Sequence, residues 1–98
     1  MGTNGSATSG DHPVPLGRIL ATPGALGVLS ETDMRTALAR HQRGDWGECC
    51  AADAAENDRS LGAGLRLLSV YRSARGTKFW IITEADRSVT TVLLPEEY

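Results

Sequence analysis

Two cysteines, two histidines and a scatter of carboxylates are the residues of this chain whose types could do chemistry. Cys49 and Cys50 are adjacent. Zinc sites normally draw on separated pairs such as C-x-x-C, because neighbouring side chains do not readily reach one ion. With only His41 and His12 to add, no metal site is expected, and both thiols read as small buried hydrophobes. A disulfide between sequence neighbours needs a distorted peptide, so the cysteines are expected to be free, as in a reducing cytoplasm. A Cys50–His41 nucleophile pair can be drawn, but no third group is identifiable to orient it. His41 continues an apolar helix stripe and reads as a core or boundary histidine. Glu84 and Asp86 could form a carboxylate pair, yet they fall in a turn, where Asp is an ordinary turn former. Ala21-Thr22-Pro23-Gly24 brings backbone amides to a helix start, a place able to hold an anion, without the P-loop or dinucleotide pattern. No catalytic set and no cofactor are expected.

The candidate binding residues are Trp46, Tyr71, Arg72, Arg75, Lys78, Trp80 and Arg87. The four cations gather at strand ends with Tyr71 and Trp80 near them, although Arg87 belongs to the opposite end of the sheet from the other three. Trp46 lies in a Gly-flanked turn, where a large aromatic serves either as a core plug or as an interaction anchor. Arginine beside aromatics serves RNA recognition and protein interfaces alike. The formal net charge is -2, from 10 basic and 12 acidic residues. A nucleic-acid-binding domain normally carries a clear basic excess. Residues 65–98 hold five basic and four acidic groups, which leaves room for a local patch only. A protein partner is therefore expected ahead of a nucleic acid.

The elements that must position these groups form one α+β domain over residues 14–98. Residues 1–13 lack apolar periodicity and are expected to be a disordered tail. Gly17–Ala21 reads as a strand. Thr22 caps a short helix with Pro23 at its first position, from which Ala25, Leu26 and Leu29 should face the core. Ser30 caps the next helix, whose Met34, Ala37, Leu38 and His41 recur at i, i+3, i+4 and i+7 as one buried stripe. A third, alanine-rich helix runs from about Cys50 to Leu61. Leu65–Arg72, Lys78–Glu84 and Ser88–Leu94 follow as a three-stranded antiparallel meander, joined by a Gly-containing turn at 73–77 and a short polar turn at Ala85–Arg87.

Alternation along these strands assigns Leu68, Val70, Trp80, Ile82, Thr90, Val92 and Leu94 to one face. Leu65, Leu67, Tyr71, Phe79, Ile81, Val89 and Leu93 fall on the other. Both faces are apolar, whereas an antiparallel sheet with one wet face alternates apolar with polar. Helices can cover one face. The other needs the N-terminal segment, a second copy of the chain or another protein, and a homodimer through the sheet is expected. No segment approaches the ~20 apolar residues of a membrane span, and the start of the chain has no secretory signal pattern. A cytoplasmic protein is expected.

The stretches Leu16–Leu26 (LGRILATPGAL) and Phe79–Tyr98 (FWIITEADRSVTTVLLPEEY), with His41-Gln42-Arg43-Gly44-Asp45-Trp46-Gly47 between them, resemble a family of small uncharacterised bacterial proteins. Its members are often carried on plasmids and other mobile elements and are sometimes labelled as type I restriction subunits. The resemblance covers residues 16–98. It implies a mobile-element or defence-related locus and brings no catalytic residue or cofactor with it. The element order is also similar to that of the RelE/ParE toxins, which would imply a nucleic-acid-acting role. Fold order alone does not imply function, and the basic character of those toxins is missing here. The leading expectation is a non-enzymatic protein-binding or regulatory protein.

Overall fold

A computed structural model describes residues 13–98; the tail expected over residues 1–13 lies, apart from Pro13, outside the described residues. Strand β1 (Arg18–Ala21) leads into helix α1 (Pro23–Val28), then α2 (Glu31–Gln42), α3 (Ala51–Ala63), β2 (Leu67–Arg72), β3 (Lys78–Thr83), β4 (Val89–Leu93) and a 3-10 turn at Pro95–Glu97. The fold is α+β, and the helix starts lie where the capping residues put them. Thr22 accepts from the Ala25 amide, with Pro23 at the first helical position. Ser30 and Asp33 form a reciprocal capping box, which satisfies two amides that the helix start would otherwise leave open. Gly64, at φ 70°, ends α3 in the left-handed conformation.

The sheet runs β1-β4-β3-β2. β2, β3 and β4 form the expected antiparallel meander, and β1 pairs parallel with β4, so the sheet is mixed. A parallel pair needs a long crossover, and here the crossover consists of all three helices and the β2–β3 hairpin. The main core joins Ala25, Leu29 and Ala37 of the helices to Tyr71, Phe79, Ile81, Val92 and Leu94. A second cluster is built from Val14, Trp46 and Leu67.

The face assignment of the last strand is corrected by one residue. Ile81 pairs with Val92 and Trp80 with Leu93, so Thr90 and Val92 lie beneath the helices beside Ile81. Val89, Thr91 and Leu93 share the Trp80 face. The connection carries one residue more than a three-residue turn: Glu84 bonds to Val89, and Arg87 takes a left-handed φ of 62°. A shift of one residue moves every side chain of a strand to the other face. Leu65 precedes β2 and is exposed. Leu26, expected in the core, is 60% exposed, while Ala25 and Leu29 are buried as expected.

The face away from the helices is less bare than expected. The C-terminal 3-10 turn packs on β3 and sets Tyr98 edge-on to Trp80, with ring centroids 5.5 Å apart. Arg66 lies over the Tyr98 ring. Ile82 and Leu93 are buried on that side. Among the described residues, no helix is long and apolar enough to cross a membrane.

Candidate functional site

The two edges of the sheet are treated differently by the chain. β2 is an outer strand whose free backbone groups are all but closed. The Asn57 side chain on α3 accepts from Leu68 N–H at 3.1 Å and donates to Leu68 C=O at 2.6 Å. One carboxamide thus replaces one residue of a neighbouring strand. Two residues further along, Val70 N–H donates to Trp46 C=O and Val70 C=O accepts from Glu48 N–H. That short parallel bridge requires Gly47, at φ 73°, because a Cβ there would stand 2.0 Å from the Val70 carbonyl. Arg72, the last residue of the strand, pairs with Glu48 at 3.0 Å.

β1 is the opposite edge, and among the described residues it is open. Arg18 N–H donates to Ser88 C=O, and Thr22 N–H donates to Val92 C=O. Alternation then turns the amides and carbonyls of Ile19 and Ala21 away from β4. Among the described residues no hydrogen-bond partner reaches them. Ile19 and Leu20 are 50% and 45% exposed, and on the adjoining α1 Leu26 and Val28 are also exposed. Above this edge lies a groove of about 500 Å³. Ile19, Ala21 and Val92 line it from the sheet, Leu16 and Leu26 from its ends, and Met34 and Leu38 from α2. Glu31 and Arg35, an exposed ion pair, stand at its rim.

Beneath the helices a polar chain fixes one histidine. His41 is fully buried. Thr90 Oγ1–H donates to the Leu16 carbonyl at 2.7 Å, so the 2.8 Å contact between Thr83 and Thr90 must use the Thr83 proton. Thr83 Oγ1 can then only accept from His41 Nε2–H, at 2.8 Å. His41 Nδ1 accepts from Ser69 Oγ–H at 2.6 Å. Burial, with a smaller contribution from Arg87, pushes the His41 pKa down to about 4. With both ring nitrogens occupied, His41 has no lone pair or proton to offer a nucleophile, and the Cys50–His41 pair is not formed. Cys49 and Cys50 are free; Cys49 is half-buried and donates to Leu68 C=O, whereas Cys50 is exposed. Burial pushes the Cys49 thiol upward, away from the thiolate a nucleophile needs.

The residues singled out from sequence do not converge on one surface. Trp46 is a core plug, its indole N–H donating to Asp58 at 2.9 Å and its ring edge-on to His41. Tyr71 is buried, donates to the Asp45 carbonyl and lies under the Arg40 guanidinium. Burial pushes its hydroxyl up to about 12. Arg40 also chelates the Asp45 carboxylate and holds it below the usual range. Arg87 spends its guanidinium on the carbonyls of Ser60, Leu65 and Glu84. Arg72 is tied to Glu48 and the Gly76 carbonyl. Arg75 and Lys78 are exposed at the β2–β3 hairpin, and Trp80 is engaged by Tyr98.

The other two sequence candidates are also accounted for. Asp86 caps its own turn by accepting from the Ser88 amide and hydroxyl, and Glu84 faces Arg66 at 3.6 Å. The anion cradle at Thr22–Gly24 is filled by the chain itself. The Glu97 carboxylate accepts from Thr22 Oγ1, Gly24 N–H and Leu94 N–H, and the Thr22 hydroxyl foremost holds its pKa below the usual range.

Sequence reading missed the β1 edge as a site and Asn57 as the lock on the other edge. A strand is legible in Arg18–Ala21, but its place at the rim follows from a pairing with a segment 71 residues away. No family model matches the chain, no curated protein matches it, and no solved structure matches it.

Proposed function

We propose that this chain is a non-enzymatic protein-binding module that takes up an extended polypeptide by strand addition at the β1 edge, with the apolar groove above it receiving alternate side chains. One observation carries the reading: the chain closes the β2 edge with Asn57 and the Trp46–Glu48 segment and, among the described residues, leaves the outward groups of Ile19 and Ala21 open. Exposed edges pair with other chains, so folded proteins generally block them. Strand addition uses main-chain bonds for affinity and side-chain pockets for choice of sequence. α2 spans about 18 Å along the groove, from its 12 residues at ~1.5 Å rise. That corresponds to a bound strand of about five residues at ~3.3 Å each. Four apolar residues of this corner are exposed, and contiguous patches of that kind usually mark interaction surfaces.

A regulatory role on a mobile element or in a defence-related locus accords with the family resemblance of Leu16–Leu26 and Phe79–Tyr98. Two free thiols accord with the reducing cytoplasm as its place of action.

The test is a backbone substitution. Proline is tolerated on an edge strand where its missing N–H would face solvent. Ile19→Pro should therefore leave the fold intact and remove one outward donor. A displayed library of 12-residue peptides, including every 12-residue segment of the chain itself, is panned on the immobilised chain at nanomolar density. Captured sequences should carry apolar residues at every second position, facing the groove, and be lost on Ile19→Pro. If no peptide is captured in a proline-sensitive manner, the reading falls.

A further inference from the structure

Resting on the reading of β1 as a docking edge, we infer that the strand seated there is β1 of a second copy of this chain, antiparallel, with Leu20 on the two-fold axis. A two-fold interface needs a patch complementary to itself, and β1 is one. With Leu20 opposite the partner's Leu20, Ile19 stands opposite the partner's Ala21, and Ala21 opposite the partner's Ile19. These are the residues whose N–H and C=O groups point outward. They exchange four hydrogen bonds, and none of them needs a residue outside the strand. The side chains match as well. Ile19 meets alanine on the helix side, and Leu20 meets leucine on the other.

The same register carries charge complementarity. It places Arg18 opposite the partner's Thr22, in a pair without mutual hydrogen bonds, where side chains come closest. The Thr22 hydroxyl holds the Glu97 carboxylate, so each Arg18 meets the partner's acid, twice by symmetry. Among the described residues Arg18 makes no ion pair within its own chain, although it is exposed on a strand. The symmetry also brings the partner's α1 to the vacant half of the groove. α1 covers the Ala21 end of its own β1, and the antiparallel mate places its α1 at the Leu16 end. The exposed Leu26 and Val28 of each copy then have an apolar surface to cover. The register one step away, with Ile19 on the axis, sets Arg18 against Leu20 and uses Gly17, whose φ of 63° lies outside the strand.

The experiment reads register and stoichiometry together. In a Cys49→Ser, Cys50→Ser background, Leu20→Cys and Ile19→Cys are each oxidised with diamide. Directly opposed residues of such a pair lie about 4.5 Å apart at Cα, within disulfide range. Leu20→Cys should give a covalent dimer at least tenfold faster than Ile19→Cys. By light scattering at about 50 µM, the wild type should have twice the 10.4 kDa mass of the chain. Ile19→Pro should be a folded monomer, and Arg18→Glu should raise the dimer Kd at least tenfold. A monomeric wild type that captures foreign peptides in a proline-sensitive manner overturns the second copy and keeps the docking edge. A monomer that captures none overturns both. A dimer that survives Ile19→Pro, or that crosslinks best through Ile19→Cys, overturns the proposed pairing.

Discussion

His41 Nε2 donates to Thr83 Oγ1 at 2.8 Å, and that single bond orients a hydrogen chain from Ser69 through Thr90 to the Leu16 carbonyl. The chain ties α2 to β2, β3 and β4 and to the segment that enters β1. A proton on Nδ1 would reverse the bond to Ser69 and, foremost, place a charge in a buried site, which is what holds the imidazole neutral.

The first prediction is a pH dependence of stability. The folded-state pKa of His41 is about 4, against 6.5 for the unreacted side chain. Between these values the unfolded chain binds a proton that the native chain does not, so stability rises with pH through the window. It is fully present above pH 6.5 and lost as pH falls towards 4. A shift of this size corresponds to about 3 kcal/mol. Urea titrations at pH 7.5, 5.5 and 4 should show the midpoint falling. His41→Gln should be less stable at pH 7.5 and nearly flat over the same range. Asp33, Asp45, Asp86 and Glu97, whose pKa values are lowered, act in the same direction at lower pH. An unchanged midpoint between pH 7.5 and 4.5 would rule out a buried neutral imidazole.

Asn57 is the second test. Asn57→Leu keeps the approximate volume and removes both bonds to Leu68. The orphaned Leu68 N–H should cost about 1–3 kcal/mol where it stays dry, while Leu68 C=O keeps the Cys49 thiol. The opened β2 edge should also aggregate. Thermal unfolding with parallel light scattering separates the two effects. A variant of native stability that stays monodisperse would show that the carboxamide does not lock the edge.

Gly47 and Gly76 form a matched pair. Both have positive φ, at 73° and 88°, but an added Cβ meets Val70 and Tyr71 at Gly47 and nothing within 4 Å at Gly76. Gly76→Ala should therefore lose only the left-handed penalty, roughly 1–2 kcal/mol. Gly47→Ala should lose substantially more and break the Val70 bridge. Equal losses in chemical denaturation would contradict the close approach at Gly47.

Trp46 and Val92 test the core. Trp46→Ala should cost about 3–5 kcal/mol, the usual range for a buried large aromatic; Trp46→Phe should cost less, losing the bond to Asp58. Val92→Glu, placed beneath the helices by the β4 register, should unfold the chain at neutral pH. Leu20→Lys, on the open edge, should leave the chain folded, losing only the stabilisation that pairing of two copies supplies. Circular dichroism melts of the four variants decide it, and a folded Val92→Glu would contradict the register.

Local physics was enough for most element boundaries. Thr22-Pro23 and Ser30-x-x-Asp33 start two helices here, because a side-chain oxygen beside open amides acts over three residues. The Met34–Ala37–Leu38–His41 stripe declared a buried helix face for the same short-range reason, and left His41 as a core or boundary histidine until the structure buried it fully. The α+β class followed from the order of these segments.

Sequence by itself determined which segments are helix and strand, that the charge is nearly balanced and that a disulfide between the adjacent cysteines would need a distorted peptide. Tertiary structure decided the rest, because it turns on partners far apart in the chain. One extra residue before Val89 set which face of β4 is buried. Asn57, one polar residue in an alanine-rich helix, became the lock on an edge only when α3 packed beside Leu68. Glu97 filled a helix start 73 residues away. Arg18–Ala21 reads as an ordinary short strand until it joins β4 at the rim. There half of its backbone groups are bonded inward and half are left facing out, and no local pattern of four residues encodes that position.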